Sequence, residues 1–462
     1  MSVRTLWARQ AWIAGAWRDD VRLELDAAGR WAAVSPGVPC PAGISALPGP
    51  VLPGLVDAHS HAFQRAFAGL AERRLGEHDD FWAWRDRMYG VALRITPAQL
   101  RAVAAQLYVE LLAGGYTQVC EFHYLHHAED GSRYDDPFGM GRALAEAASA
   151  TGIGLTLLPV LYQRAGFAQD RLRHDQRRFA ADADTVIALR DAARALKHPL
   201  VNAGVGIHSL RAAPAASIQA LARRVAEDDG PLHIHVAEQT AEVDDCERAT
   251  GARPIDHLAD LVPLDRRWQL VHATHATPQE IERVGAAGAG VVICPSTEAN
   301  LGDGLPDLPR WLDSSAMLAV GSDSQVARHW VEELRWLEYG QRLIQRRRNV
   351  AAAPQMDLTA SAARLFERCS AGGAAAAGFP SWGLVAGARA DLLVIDPRAA
   401  GVRGVPDSHR LDALVFATDA PAFAEVWVAG ERVLKDGRHP QAESIGAEFD
   451  ATMRALWPGD PA

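Results

Sequence analysis

Pro53-Gly54-Leu55-Val56-Asp57-Ala58-His59-Ser60-His61 is the stretch on which the fold turns. An apolar run enters it and two histidines leave it, spaced i and i+2. Side chains alternate faces along a β-strand, so this spacing sets both imidazoles on one side of the backbone. Two neutral imidazoles converging at a strand end make half of a transition-metal site. An isolated His-x-His is more often a pair of polar residues on a solvated strand face. The rest of the chain has to decide between the two.

Outward from that stretch, residues 53–378 alternate apolar strand-like runs with helical patterns, the signature of βα units and a parallel sheet. Eight strands are expected, at 54–59, 116–122, 153–160, 203–207, 232–236, 268–272, 290–294 and 317–321. Helical patterns at 97–113, 138–150, 183–196, 214–228, 277–287 and 330–347 lie between or after them. Pro97, Pro214 and Pro278 each stand just inside a helix start, where a missing N–H costs least. The fold class is therefore α/β, a closed (β/α)8 TIM-like barrel over residues 53–378. Residues 1–52 read as short strands at 5–14, 21–25 and 31–34, and strand patterns return at 390–396 and 424–429. The expectation is a small β-sandwich built from both ends of the chain, 1–52 supplying one part and 379–462, with a C-terminal helix, the other.

The polar residues then fall in one place. The first strand ends in His59 and His61, the second in Glu121-Phe122-His123-Tyr124, and the fourth in His208-Ser209 with Arg211 beyond. The fifth ends in His233-Ile234-His235-Val236-Ala237-Glu238, the sixth in His272, and the eighth in Gly321-Ser322-Asp323-Ser324. Barrel active sites are assembled at the C-terminal ends of strands, and six strands deliver titratable or metal-binding groups to that rim. Strand alternation or depth sets His123 and His233 apart from it. The aromatic-rich loop at 77–89 lies on the rim side, where it could cover a pocket or simply coat the barrel. Cys294, ending the seventh strand, reads as a small buried hydrophobe, and Arg346-Arg347-Arg348 as a solvated helix end.

Composition narrows the class. Nearly half of the 462 residues are hydrophobic, enough for a substantial core and against global disorder. A net charge of -10 argues against a general nucleic-acid or anionic-membrane binder, so an anionic ligand needs local arginines. Lys197 and Lys435 are the only lysines. The five cysteines are scattered without a CxxC pair, which fits a reducing compartment rather than a disulfide framework. With no signal-like start and no run of about 18 uncharged apolar residues, a cytoplasmic location is expected.

With those residues in place, the chain resembles the amidohydrolase superfamily, through PGLVDAHSH on the first strand, HVAE on the fifth, a lone histidine on the sixth and GSDS on the eighth. The resemblance implies one divalent metal ion per subunit held by His59, His61, His235 and Asp323, with Glu238, His272 and Asp323 catalytic. Three imidazoles and one carboxylate suit zinc, with iron(II) the alternative. Members with two metals often carry a carboxylated lysine at the end of the fourth strand. Here that strand ends Gly206-Ile207-His208-Ser209, which favours the one-metal deaminase branch.

Within that branch the chain is most similar to the formimidoylglutamate deiminases of histidine breakdown. The matching stretches are His59-Ser60-His61-Ala62-Phe63-Gln64-Arg65-Ala66, Trp82-Ala83-Trp84-Arg85, Glu121-Phe122-His123-Tyr124 and Gly206-Ile207-His208-Ser209-Leu210-Arg211-Ala212. The implied substrate contacts are Gln64, Arg85, Tyr124, His208 and Arg211. The implied reaction is hydrolytic deimination of N-formimidoyl-L-glutamate, a small molecule with two carboxylates, to N-formyl-L-glutamate and ammonia, by a homodimer. A planar guanidinium can clamp a carboxylate bidentately, so Arg85 and Arg211 suit that substrate. Two readings compete: a one-metal deaminase of a purine, pyrimidine or nucleoside-type base, and a non-catalytic barrel kept as a binding module. The absent bridging lysine weakens a third, an amide or hydantoin hydrolase.

Overall fold

Eight parallel strands wind into a barrel in this computed structural model, which describes the backbone of residues 4–73, 81–420 and 422–458 and their side chains except those of 81–86. In chain order the barrel strands are Leu55–Ser60, Tyr116–His123, Gly154–Leu161, Val205–Ser209, Leu232–Val236, Trp268–His272, Gly290–Ile293 and Met317–Val320. Each pairs in parallel with the next. Their residues are almost all buried, which is why they read as continuous apolar runs rather than as alternation.

The eighth strand meets the first at the rim. Asp323 N–H donates to His59 O at 2.9 Å and His61 N–H to Asp323 O at 3.3 Å. The Ser322 backbone N–H and hydroxyl both donate to the Asp57 carboxylate, at 2.9 and 2.5 Å. Burial pushes the Asp57 carboxyl up to about 7 against those bonds. The barrel is therefore stitched closed beside the two histidines of the opening motif.

Three local expectations need correction. The fourth strand comes in two pieces, Val201–Ala203 and Val205–Ser209, separated by Gly204, where a Cβ would sit 2.3 Å from Pro231 O. Pro214 is the extended residue preceding helix Ala215–Arg224, whereas Pro97 and Pro278 do begin theirs, behind Thr96 and Thr277 capping boxes. The stretch 77–89 is not a loop throughout: Phe81–Ala92 is a helix. Met88, Tyr89, Val91 and Ala92 are buried in the core, and that tertiary burial overrides a weak helical pattern. Residues 77–80 lie outside the described residues.

Segments from both ends of the chain share one seven-stranded sheet. Leu392–Ile395 pairs antiparallel with Val51–Leu52, which pairs in parallel with Arg4–Ile13. The buried Arg389 fastens this layer to the barrel, binding Asp391 at 2.7 Å, Gln118 Oε1 at 2.7 Å and Thr117 O at 3.1 Å. Helix Ser361–Ala376 packs on the eighth strand so tightly that a Cβ on Gly372 would lie 2.0 Å from Leu318 O. No described helix is long and apolar enough to cross a membrane.

Candidate active site

Three strand ends leave the barrel through the left-handed region with non-glycine residues: Ala237 at φ 52°, His272 at φ 69° and Asp323 at φ 48°. Such backbone costs about 1–3 kcal/mol per residue and persists only where surrounding structure holds it. Here it brings the fifth, sixth and eighth strand ends around one point.

His59, His61, His235 and Asp323 converge there, all buried. His59 Nε2 lies 2.9 Å from His235 Nε2 and 3.2 Å from His61 Nε2. Asp323 Oδ1 is 3.6 Å from His59 Nε2 and 3.4 Å from His61 Nε2. Burial first, then neighbouring histidines, holds His59 and His235 well below the ordinary imidazole value, and burial brings His61 down to about 3. These are neutral rings. The His61 Nδ1–H donates to Phe122 O at 2.9 Å, which leaves its Nε2 as a lone pair facing inward. Ring nitrogens this close, on neutral imidazoles beside a carboxylate, fit a shared divalent cation better than they fit one another.

His272 stands next to this cluster, its Nε2 3.7 Å from Glu238 Oε1 and 3.9 Å from Asp323 Oδ2. Burial opposes charge on His272, but Glu238, a hydrogen bond to Glu298, and Asp323 together outweigh it and raise the ring to about 10. Burial raises Asp323 to about 7, with His272 pulling the other way. Cys294 is buried as expected, yet its Sγ faces polar groups, within ligand range of His272 and Asp323.

One pocket is lined by His61, His235, Asp323, Glu238 and His272 together with Gln64, Tyr124, His208 and Arg211. The Gln64 amide donates to the Tyr124 hydroxyl at 3.4 Å, and Gln64 Oε1 is buried without a hydrogen-bond partner. The His208 ring lies 5.7 Å from that of Tyr124 and 5.2 Å from that of His235, centroid to centroid. The backbone of Arg85 belongs to helix Phe81–Ala92, and its side chain lies outside the described residues. His233 sits deeper, its Nε2 2.8 Å from Ala376 O, and His123 packs against His126.

Sequence reasoning missed several residues. Tyr162, Gln176 and Phe179 line the pocket wall, alongside Met88 and Tyr89 from the rim-side stretch 77–89. Tyr162 directly follows the third strand, so its position at the rim was a usable signal. Glu298 and Asp303 follow the seventh strand, and Glu242 follows the fifth; all three are buried. The proline-led start of helix Pro295–Leu301 with Glu298 in its first turn marks such a rim segment. Nothing in the pattern points to Gln176.

Residues 51–433 match the model of the Amidohydrolase family. The chain belongs to that family. Over 455 residues this amidohydrolase is 43% identical to the formimidoylglutamate deiminase of Pseudomonas aeruginosa, a match covering 98% of this chain and 99% of that one. It is 26% identical over 389 residues to a 5-methylthioadenosine/S-adenosylhomocysteine deaminase of Natronomonas pharaonis, covering 84% and 81%. The crystal structure of an amidohydrolase from Brucella melitensis, 38% identical, superposes with a TM-score of 0.93 and covers 98% of this chain and 99% of that one.

Proposed function

We propose that this amidohydrolase converts N-formimidoyl-L-glutamate and water to N-formyl-L-glutamate and ammonia, as a step of histidine breakdown. The observation that carries the reading is the polarity of the pocket: Arg211 lines the same cavity as Glu238, Asp323 and His272. A carboxylate on Arg211 therefore leaves the far end of a short ligand among carboxylates and imidazoles, where a cationic formamidine group is favoured. The 43% identity to an enzyme of that name supports it, whereas the nucleoside-type deaminase is at 26%.

His59, His61, His235 and Asp323 are the residues proposed to hold one divalent ion, zinc or iron(II). A bound divalent cation supplies Lewis acidity that lowers the pKa of a coordinated water toward ~7. In the proposed reaction Asp323 takes the proton of the attacking water and Glu238 passes a proton to the departing nitrogen, which leaves as ammonia. His272 donates a hydrogen bond to the oxygen that becomes attached to the tetrahedral carbon. Arg211 and Arg85 hold the two substrate carboxylates, and Gln64, Tyr124 and His208 fix its orientation.

A homodimer is proposed as the working form. Helix Trp330–Gln345 supports this, since it exposes Trp336, Tyr339, Leu343 and Ile344, the last two 75% and 59% exposed. The cysteines support a cytoplasmic location, four of the five being buried free thiols. The proposed domain division is 1–52 and 379–462 for the terminal layer and 53–378 for the catalytic barrel. The test is a purified-enzyme assay of N-formimidoyl-L-glutamate against 5′-methylthioadenosine. Ammonia and N-formyl-L-glutamate from the first alone support the reading; formamide with free glutamate, or turnover of the nucleoside alone, overturns it.

A further inference from the structure

We infer that Glu298 is a positioning residue for His272: it binds the His272 Nδ1–H and so turns the ring's Nε2 into the pocket. Glu298 sits on the short helix after the seventh strand, a strand to which the proposed reaction assigns no residue. Its Oε1 lies 3.3 Å from His272 Nδ1 and accepts the Cys294 backbone N–H at 3.0 Å. Its Oε2 is buried with no hydrogen-bond partner, and the side chain is 1% exposed.

A carboxylate left half-satisfied in the interior is costly, so a purely structural account is weak. The Cys294 N–H alone would be served as well by a neutral amide. A partner at one ring nitrogen fixes the ring's orientation, so that Nε2, the nitrogen that donates in the proposed reaction, faces the reacting group. The arrangement matters because His272 Nε2 faces both Glu238, at 3.7 Å, and Asp323, at 3.9 Å. Asp303 braces the same layer, accepting from the Gln239 amide beside Glu238 while its own N–H donates to Glu298 O at 2.9 Å.

The inference rests on the proposed hydrolysis for its kinetic consequence but not for its geometry, and the test separates them. Glu298→Gln is expected to lower kcat about 10–100-fold, with KM and bound metal unchanged. In a His272→Asn background the same change is expected to cost less than about twofold, because residues acting as a unit are non-additive. Independent, multiplying effects, or metal lost from Glu298→Gln, overturn the assignment. On the wild-type protein, imidazole 15N NMR is expected to find His272 Nδ1 protonated. An unprotonated Nδ1 overturns the inference even if every variant misfolds. A wild-type enzyme inert toward N-formimidoyl-L-glutamate defeats the proposed function instead and leaves the NMR result to judge Glu298.

Discussion

His59 Nε2 and His235 Nε2 lie 2.9 Å apart although 176 positions separate them in the chain. Two neutral rings meeting lone pair to lone pair in a buried site oppose each other unless a proton or a cation stands between. The pair marks where the ends of the first and fifth barrel strands meet, and with His61 and Asp323 it gives the rim its proposed chemistry.

Removing one of these nitrogens is expected to empty the site. His235→Asn should lose its bound divalent metal and on the order of a hundredfold or more in kcat/KM. His233→Asn, two residues earlier and bonded to Ala376 O rather than to the cluster, should keep its metal. Elemental analysis of both purified variants decides the matter, and equal metal content in the two would count against the ligand assignment.

Arg211 is expected to act on the substrate and not on the ion. Arg211→Met should raise KM and lower kcat/KM by roughly thirtyfold or more, the loss of about 2–5 kcal/mol that follows removal of one partner of a charge pair. Its metal content should match the wild type. Steady-state kinetics with metal analysis checks this, and a metal-free Arg211→Met would make the arginine structural.

Glu242 supplies a pH signature. It is buried, its Oε2 accepts the Glu238 N–H at 3.1 Å, and burial raises it from 4.5 to about 7, with Arg211 opposing and Glu238 adding. A carboxyl whose folded value is raised keeps its proton in the native state between those limits. Stability therefore falls as pH rises from about 4.5 to 7 and levels off above. Glu242→Gln cannot titrate, so its stability relative to wild type should improve between pH 5 and 8, by on the order of 3 kcal/mol at most. Thermal melts across that range test this; a pH-independent difference would refute it.

Gly372 and Gly446 both lie in helices but should respond oppositely to alanine. A Cβ on Gly372 meets the Leu318 carbonyl at 2.0 Å, whereas one on Gly446 finds only Gln106 Oε1 at 3.9 Å. Alanine gains up to about 1 kcal/mol of helix propensity at either site. Gly372→Ala should nonetheless destabilise by about 1–3 kcal/mol through overpacking, and Gly446→Ala should be neutral or stabilising. Denaturant titrations compare the two.

The barrel was legible because each of its strands is an apolar run ended by polar residues, and because strand ends are where such residues gather. Topology put the ends of six strands on one rim, and the family resemblance singled out His59, His61, His235, His272 and Asp323 among them. Glu298 was harder to see: its partner His272 is 26 positions away, the seventh strand ends in Cys294-Pro295 without a polar flag, and the proline-led helix start is the sole hint. Helix Phe81–Ala92 escaped notice because buried contacts of Met88, Tyr89, Val91 and Ala92, more than periodicity, hold it. The close approach of Gly204 to Pro231, where the fourth strand is interrupted, involves a neighbouring segment, which no local pattern encodes.

Anomalous X-ray scattering from crystals of the purified protein tests the central claim most directly. The account predicts one strong metal peak per chain about 2.0–2.2 Å from His59 Nε2, His61 Nε2, His235 Nε2 and an Asp323 oxygen. No peak among those atoms, or one seated on His272, Cys294 and Asp323 instead, would contradict it.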